Sequence, residues 1–106
     1  QHRANDMNAR RYFAHYDPEG NGPNYWARFY GCELPSYYPV NGNSIESIAI
    51  NYPSLQSVWD AWMASPSHEF HLRGLHQAYA LQVDVGVAVL NGSYGLIYVI
   101  VSAEPC

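Results

Sequence analysis

The sequence predicts an α+β domain in which helices pack on a mainly antiparallel sheet. Two observations predict it. Leu55, Val58, Trp59, Trp62 and Met63 fall at i, i+3, i+4, i+7 and i+8, the apolar stripe of an amphipathic helix. Further on the period changes: Val83, Val85, Val87 and Val89 alternate with other residues, as in a strand. Asn91-Gly92 then signals a hairpin into the apolar run Leu96-Ile97-Tyr98-Val99-Ile100-Val101, which suits a strand covered on both faces. Helices followed by a strand pair is the order of an α+β fold. At 106 residues, with no repeat and no linker, residues 1–106 read as a single domain.

The remaining elements follow in chain order. Residues 3–14 read as a helix marked by Ala4, Met7, Ala9, Tyr12 and Phe13. Asp17-Pro18-Glu19-Gly20-Asn21-Gly22 is turn-rich, and Pro23 suits the first position of a second helix. Tyr25, Trp26, Phe29 and Tyr30 mark one face of that helix and Gly31 suits its stop. Residues 32–44, with Pro35, Pro39 and Asn41-Gly42-Asn43, read as loop, and Ile45–Ile50 as a short strand or extended turn. The helix of the apolar stripe starts at Pro53 or Ser54 and stops before Pro66, because the residue ahead of a proline is pushed out of the α region. His68–Arg73 reads as a further helical turn closed by Gly74. The core expected from these patterns contains Trp59, Trp62, Val85, Val87, Val99 and Val101.

Composition narrows the function. Hydrophobic residues make up 48% and charged residues 13%, enough for a packed core. The net charge is −4, there is no lysine, and the arginines at 3, 10, 11, 28 and 73 form no long run. A nucleic-acid binder needs a basic stripe, so none is expected here. The absence of lysine removes Schiff-base chemistry and a phosphate-loop lysine. Ten tyrosines and three tryptophans suit a core, a ligand groove or an interface. No stretch is long enough for a transmembrane segment, and no signal peptide is visible, as in a processed chain. Cys32 and Cys106 are too far apart for the paired spacing of a zinc site; one disulfide fits better than two thiols and places the chain in an oxidising compartment.

His15, Glu46 and His68 are ionisable residues in apolar contexts, where unpartnered charge is costly. Two imidazoles and a carboxylate are also a ligand set for zinc or another divalent cation. Each has a plainer reading: a helix-end histidine, a solvent-edge glutamate, a capping histidine. His68-Glu69-Phe70-His71 is not a zincin motif, which needs histidines at i and i+4, although His68, His71 and His76 are a second metal-ligand grouping. No Gly-x-Ser-x-Gly elbow is present.

Taken in order, these motifs resemble the bacterial branch of the CAP superfamily, the secreted cysteine-rich secretory protein, antigen 5 and pathogenesis-related 1 domains. Tyr12-Phe13-Ala14-His15 with Asp17-Pro18-Glu19-Gly20 is similar to the family's Tyr-Phe-Ser-His and Asp-Pro-Asp-Gly. Ile45-Glu46-Ser47-Ile48-Ala49 is similar to Gly-Glu-Asn-Ile-Ala, and Asp84-Val85-Gly86-Val87-Ala88 to Glu-Val-Gly-Val-Gly. Ala61-Trp62-Met63-Ala64-Ser65-Pro66-Ser67-His68 is similar to Ala-Trp-Met-x-Ser-Pro-Gly-His, the most specific of the four. The resemblance covers residues 4–104. It implies an α-β-α sandwich, shortened at its N-terminus, with His15, Glu46 and His68 facing one another in an open cleft that holds a divalent cation, and Glu69 beside them. A homodimer or another partner chain would cover the place of the missing first helix. Ser47 departs from the family's asparagine and Glu69 from its arginine. The function implied is a secreted or extracellular (or periplasmic) binding domain for a small apolar or extracellular ligand. A metal-dependent hydrolase using the same cleft is the alternative, although no activated nucleophile is evident.

Overall fold

A computed structural model describes residues 1–72, 82 and 84–104. Among the described residues, α1 (His2–Arg10), α2 (Pro23–Phe29), β1 (Glu46–Ile50), α3 (Leu55–Met63) and α4 (Pro66–Leu72) come first, then the hairpin strands β2 (Asp84–Asn91) and β3 (Leu96–Ala103). The result is a small α+β domain with a three-stranded antiparallel sheet in the order β1-β3-β2. The last strand is therefore central, which explains its unbroken apolar run. Ile97, Tyr98 and Val99 are all buried while pointing alternately to opposite faces.

The register sorts the two faces. Ile48, Val99 and Ala88 are cross-strand partners and pack with Ile97 against Ala4 and Met7 of α1. Ala49 and Tyr98, one residue out of phase, pack against Val58 and Trp62 of α3. Helix α3 begins where Ser54 accepts from the Ser57 amide and Ser57 reaches back to the Ser54 amide, a capping box. The Trp62 indole N–H donates to the Ile48 carbonyl at 3.1 Å and pins α3 beside β1.

Several expectations change. The first helix stops at Arg10, short of residue 14. Arg11 adopts a left-handed conformation, φ 55°, and the following amide bonds back to Met7. The segment carrying His15 is thereby turned out of the helix. Pro66 does not merely end α3; it occupies the first position of α4, which runs on through His68 and His71. In the expected core, Trp62 and Val99 are buried and Val101 is half-buried, but Trp59 is 40% exposed, Val85 58% and Val87 60%. The valines share the α3 side of the sheet, on the edge strand beyond the residues that α3 covers. Trp59 lies beside the contacting line of Val58 and Trp62 rather than on it.

The hairpin uses a four-residue connection, Gly92–Gly95, closed by the Gly92 amide on the Gly95 carbonyl at 3.0 Å. A Cβ at Gly92 would lie 2.1 Å from Asn8 Oδ1, so a larger residue there would push aside the Asn8 side chain that accepts from the Tyr94 amide. Cys32 is half-buried beside Leu34, Tyr38, Ile45 and Ala103. Cys106 lies outside the described residues, and so does the expected Cys32–Cys106 pairing. Val83, Arg73, Gly74 and His76 lie outside them as well. Among the described residues no helix is long and apolar enough to cross a membrane.

Candidate functional site

His15, Glu46 and His68 line one pocket of about 200 Å³, together with Asn43, Ser44, Ile45, Ser47, Ser67 and His71. Three elements supply it. The turn after α1 brings His15, the start of β1 brings Glu46 and Ser47, and α4 brings Ser67, His68 and His71. Glu69 sits in the first turn of α4, half-buried, and is not part of the pocket lining.

Glu46 is buried and its carboxylate is already engaged. Arg3 Nε donates to Oε2 at 2.9 Å and Arg3 Nη2 to Oε1 at 3.3 Å. His15 Nδ1 lies 3.0 Å from the same Oε1. Arg3, itself buried, also donates from Nη2 to the carbonyls of Ala14 and His15 and from Nη1 to the Tyr12 hydroxyl. One guanidinium thus satisfies the carboxylate and ties down the turn that carries His15. Burial works against the Arg3 charge, but hydrogen bonding and attraction to Glu46 outweigh it and raise its pKa.

The donor directions follow. A carboxylate paired with arginine only accepts, so His15 Nδ1 donates and neutral His15 keeps its lone pair on Nε2. Glu46 orients His15 in the way a carboxylate stands behind a metal-binding imidazole. Among the described residues no three His, Cys, Asp or Glu side chains come together in an arrangement able to hold a metal ion. In the expected three-ligand set of His15, Glu46 and His68, the Glu46 carboxylate is also engaged by Arg3 and His15. His68 Nδ1 meets Ser65 Oγ at 2.8 Å, and its ring stacks on Trp62 at 6.2 Å between centroids. Burial, and then the neighbouring His15, lower the His68 pKa and favour its neutral form.

Behind the pocket runs a buried polar chain. His71 Nδ1 is 2.8 Å from Ser47 Oγ and His71 Nε2 is 2.6 Å from Ser102 Oγ. Ser102 donates to Gln82 Oε1 at 3.0 Å, while Gln82 Nε2 donates to the Ser44 carbonyl at 2.7 Å and the Tyr38 hydroxyl at 2.9 Å. Burial, followed by repulsion from His68 and His15, pushes His71 down to about 4. The second grouping, His68 with His71 and His76, has His76 outside the described residues, and both His71 nitrogens are occupied by serines.

On the other side of Glu46, α1, α2 and the sheet enclose an open groove of about 690 Å³. Its walls are Ala9, Pro23, Trp26, Ala27, Tyr30, Ile45 and Val101, with His2, Arg3 and Asp6 among the polar groups. His2 packs against Trp26 at 4.2 Å between ring centroids. Glu46 lines both the groove and the polar pocket.

Sequence reasoning finds His15, Glu46 and His68 but misses Arg3. The signal is there: Glu46 in an apolar segment needs a cation, the chain has no lysine, and Arg3 shares a helix face with Met7 at i, i+4. No protein-family model, no curated protein and no solved structure matches the chain.

Proposed function

We propose that the chain is a secreted CAP-like binding domain, an α-β-α sandwich whose His15/His68 pocket and adjoining apolar groove receive a small extracellular ligand. The observation that carries this reading is the convergence of His15, Glu46 and His68, far apart in sequence, in one pocket. The helices on opposite faces of the sheet support the layered fold. The groove has the size and apolar lining of a small-molecule site, with a few polar groups to orient a ligand. A divalent cation would be held by His15 and His68, with Glu46 setting the His15 tautomer. When bound it would supply a positive charge to fix a ligand's oxygen or nitrogen atom. The two cysteines fit an extracellular setting, and a Cys32–Cys106 disulfide belongs to the same reading.

Isothermal titration with zinc chloride tests the pocket. Zinc binds at about pH 7.5 and is lost at about pH 5.5, because imidazole must be neutral to ligate. His15→Ala and His68→Ala each weaken binding at least about tenfold. Equal affinity at both pH values, or full affinity in both variants, overturns the cation site.

A further inference from the structure

The buried chain behind the pocket has a fixed direction, and the direction can be read from its far end. The Ser44 carbonyl only accepts, so the Gln82 amide nitrogen must face it, and Gln82 Oε1 must face Ser102. That oxygen also only accepts, so the Ser102 hydroxyl spends its proton on it. Ser102 Oγ then accepts from His71 Nε2–H at 2.6 Å. With its proton on Nε2, His71 carries its lone pair on Nδ1, 2.8 Å from Ser47 Oγ. The Ser47 hydroxyl therefore donates to a neutral imidazole whose tautomer is locked from behind. This is the polarity of a nucleophile, a base and an orienting acceptor.

We propose that Ser47 and His71 form a nucleophile–base pair that accepts a short acyl group from an ester in the His15/His68 pocket. Both residues line that pocket. Its volume of about 200 Å³ is enough for an acetyl-sized group. Ser47 is only 1% exposed, so the attacking oxygen sits at the pocket wall and the acyl carbon must come to it. In the step, Ser47 Oγ bonds to the acyl carbon while its proton passes to His71 Nδ1. Collapse of the tetrahedral adduct breaks the bond to the alcohol oxygen, which takes that proton back from Nδ1. Water, deprotonated by the same nitrogen, then releases the carboxylic acid and returns the proton to Ser47. Ser102 and Gln82 are positioning residues, acting through the His71 tautomer. This inference does not rest on the CAP-like reading and requires no metal.

The test is p-nitrophenyl acetate with the full chain, read by nitrophenolate release and by peptide mass mapping. The chain has no lysine, which removes the usual background of acetylation. One acetyl group per chain, on Ser47, is expected, and none there in Ser47→Ala. His71→Gln lowers the Ser47 acetylation rate by roughly 100-fold or more, the contribution of a general base. Ser102→Ala frees His71 to change tautomer; it slows acetylation and introduces a pH dependence absent from the parent near neutrality, which loss of packing alone would not do. Circular dichroism accompanies each variant, and Ser102→Ala carries the base test if His71→Gln does not fold. Acetyl groups only on the amino terminus, tyrosines or other histidines, or an unchanged Ser47 rate in a folded His71→Gln or Ser102→Ala, overturn the proposal.

Discussion

Arg3 decides the character of the site. Its guanidinium is placed against the buried Glu46, and it holds the carbonyls of Ala14 and His15 at the same time. Truncating one partner of a buried pair strands the other, at roughly 3–5 kcal/mol. Arg3→Ala is therefore expected to destabilise the fold by about that amount and to release His15 from Glu46. Arg3→Met combined with Glu46→Gln removes both charges while keeping much of their volume, and should recover most of the loss. Urea denaturation of the two variants checks this. If the double variant is no more stable than Arg3→Ala, the charge pair is not what holds the turn. The contrast matters for function, because Glu46→Gln on its own leaves Arg3 as the unpaired buried ion and cannot be read as a test of ligand binding alone.

At the scale of elements, α3 shows how a helix divides its apolar residues between core and surface. Trp62 is 5% exposed, stacks on His68 and donates to β1, whereas Trp59, three residues earlier, is 40% exposed. Trp62→Ala is expected to cost roughly 3–5 kcal/mol, the range for large core truncations, and Trp59→Ala less than about 1. Thermal melts of the two variants decide the matter; equal losses would mean that α3 presents both rings to the sheet. The sequence stripe could not make this distinction. It contains Leu55, Val58, Trp59, Trp62 and Met63 alike, and which of them face inward depends on how far the sheet extends beneath the helix. The alternation through Val85 and Val87 does not tell core from surface for the same reason. Periodicity identifies the strand, and Asn91-Gly92 the hairpin, but the uncovered face follows from β2 being an edge. The end of α1 is not legible in the sequence, because the left-handed turn at Arg11 has no glycine to announce it. Ser54 and Pro23, by contrast, mark their helix starts with local chemistry, and both starts were legible. At the site, His15, Glu46 and His68 were legible as polar residues in apolar company. Arg3 and the Ser47–His71–Ser102 chain were not, because their partners are set by the register of β1 on β3 and by the packing of α4.

For the molecule as a whole, the histidines set the response to acid. His2, His68 and His71 all have lowered pKa values, burial being the first cause in each. A base harder to protonate folded than unfolded makes the unfolded chain take up more protons as pH falls. Stability is then complete above the unfolded value of 6.5 and is lost as pH drops toward the folded value, about 4 for His71. His71 alone accounts for on the order of 3 kcal/mol across that window, a large part of a small domain's stability. The loss is not local. His71 joins α4 to Ser47 on β1 and to Ser102 on β3, and Ser102 passes the connection to Gln82, Tyr38 and Ser44. A second proton on the ring removes the acceptor that Ser47 uses and places a charge in a buried site. The urea midpoint is accordingly expected to fall steadily from about pH 7 to about pH 4.5, well before most carboxylates titrate. It should fall less steeply in His71→Gln, whose amide can both accept from Ser47 and donate to Ser102 without titrating. A flat profile in the parent over that range, or the same slope in a folded His71→Gln, would mean that the buried histidine does not couple protonation to folding.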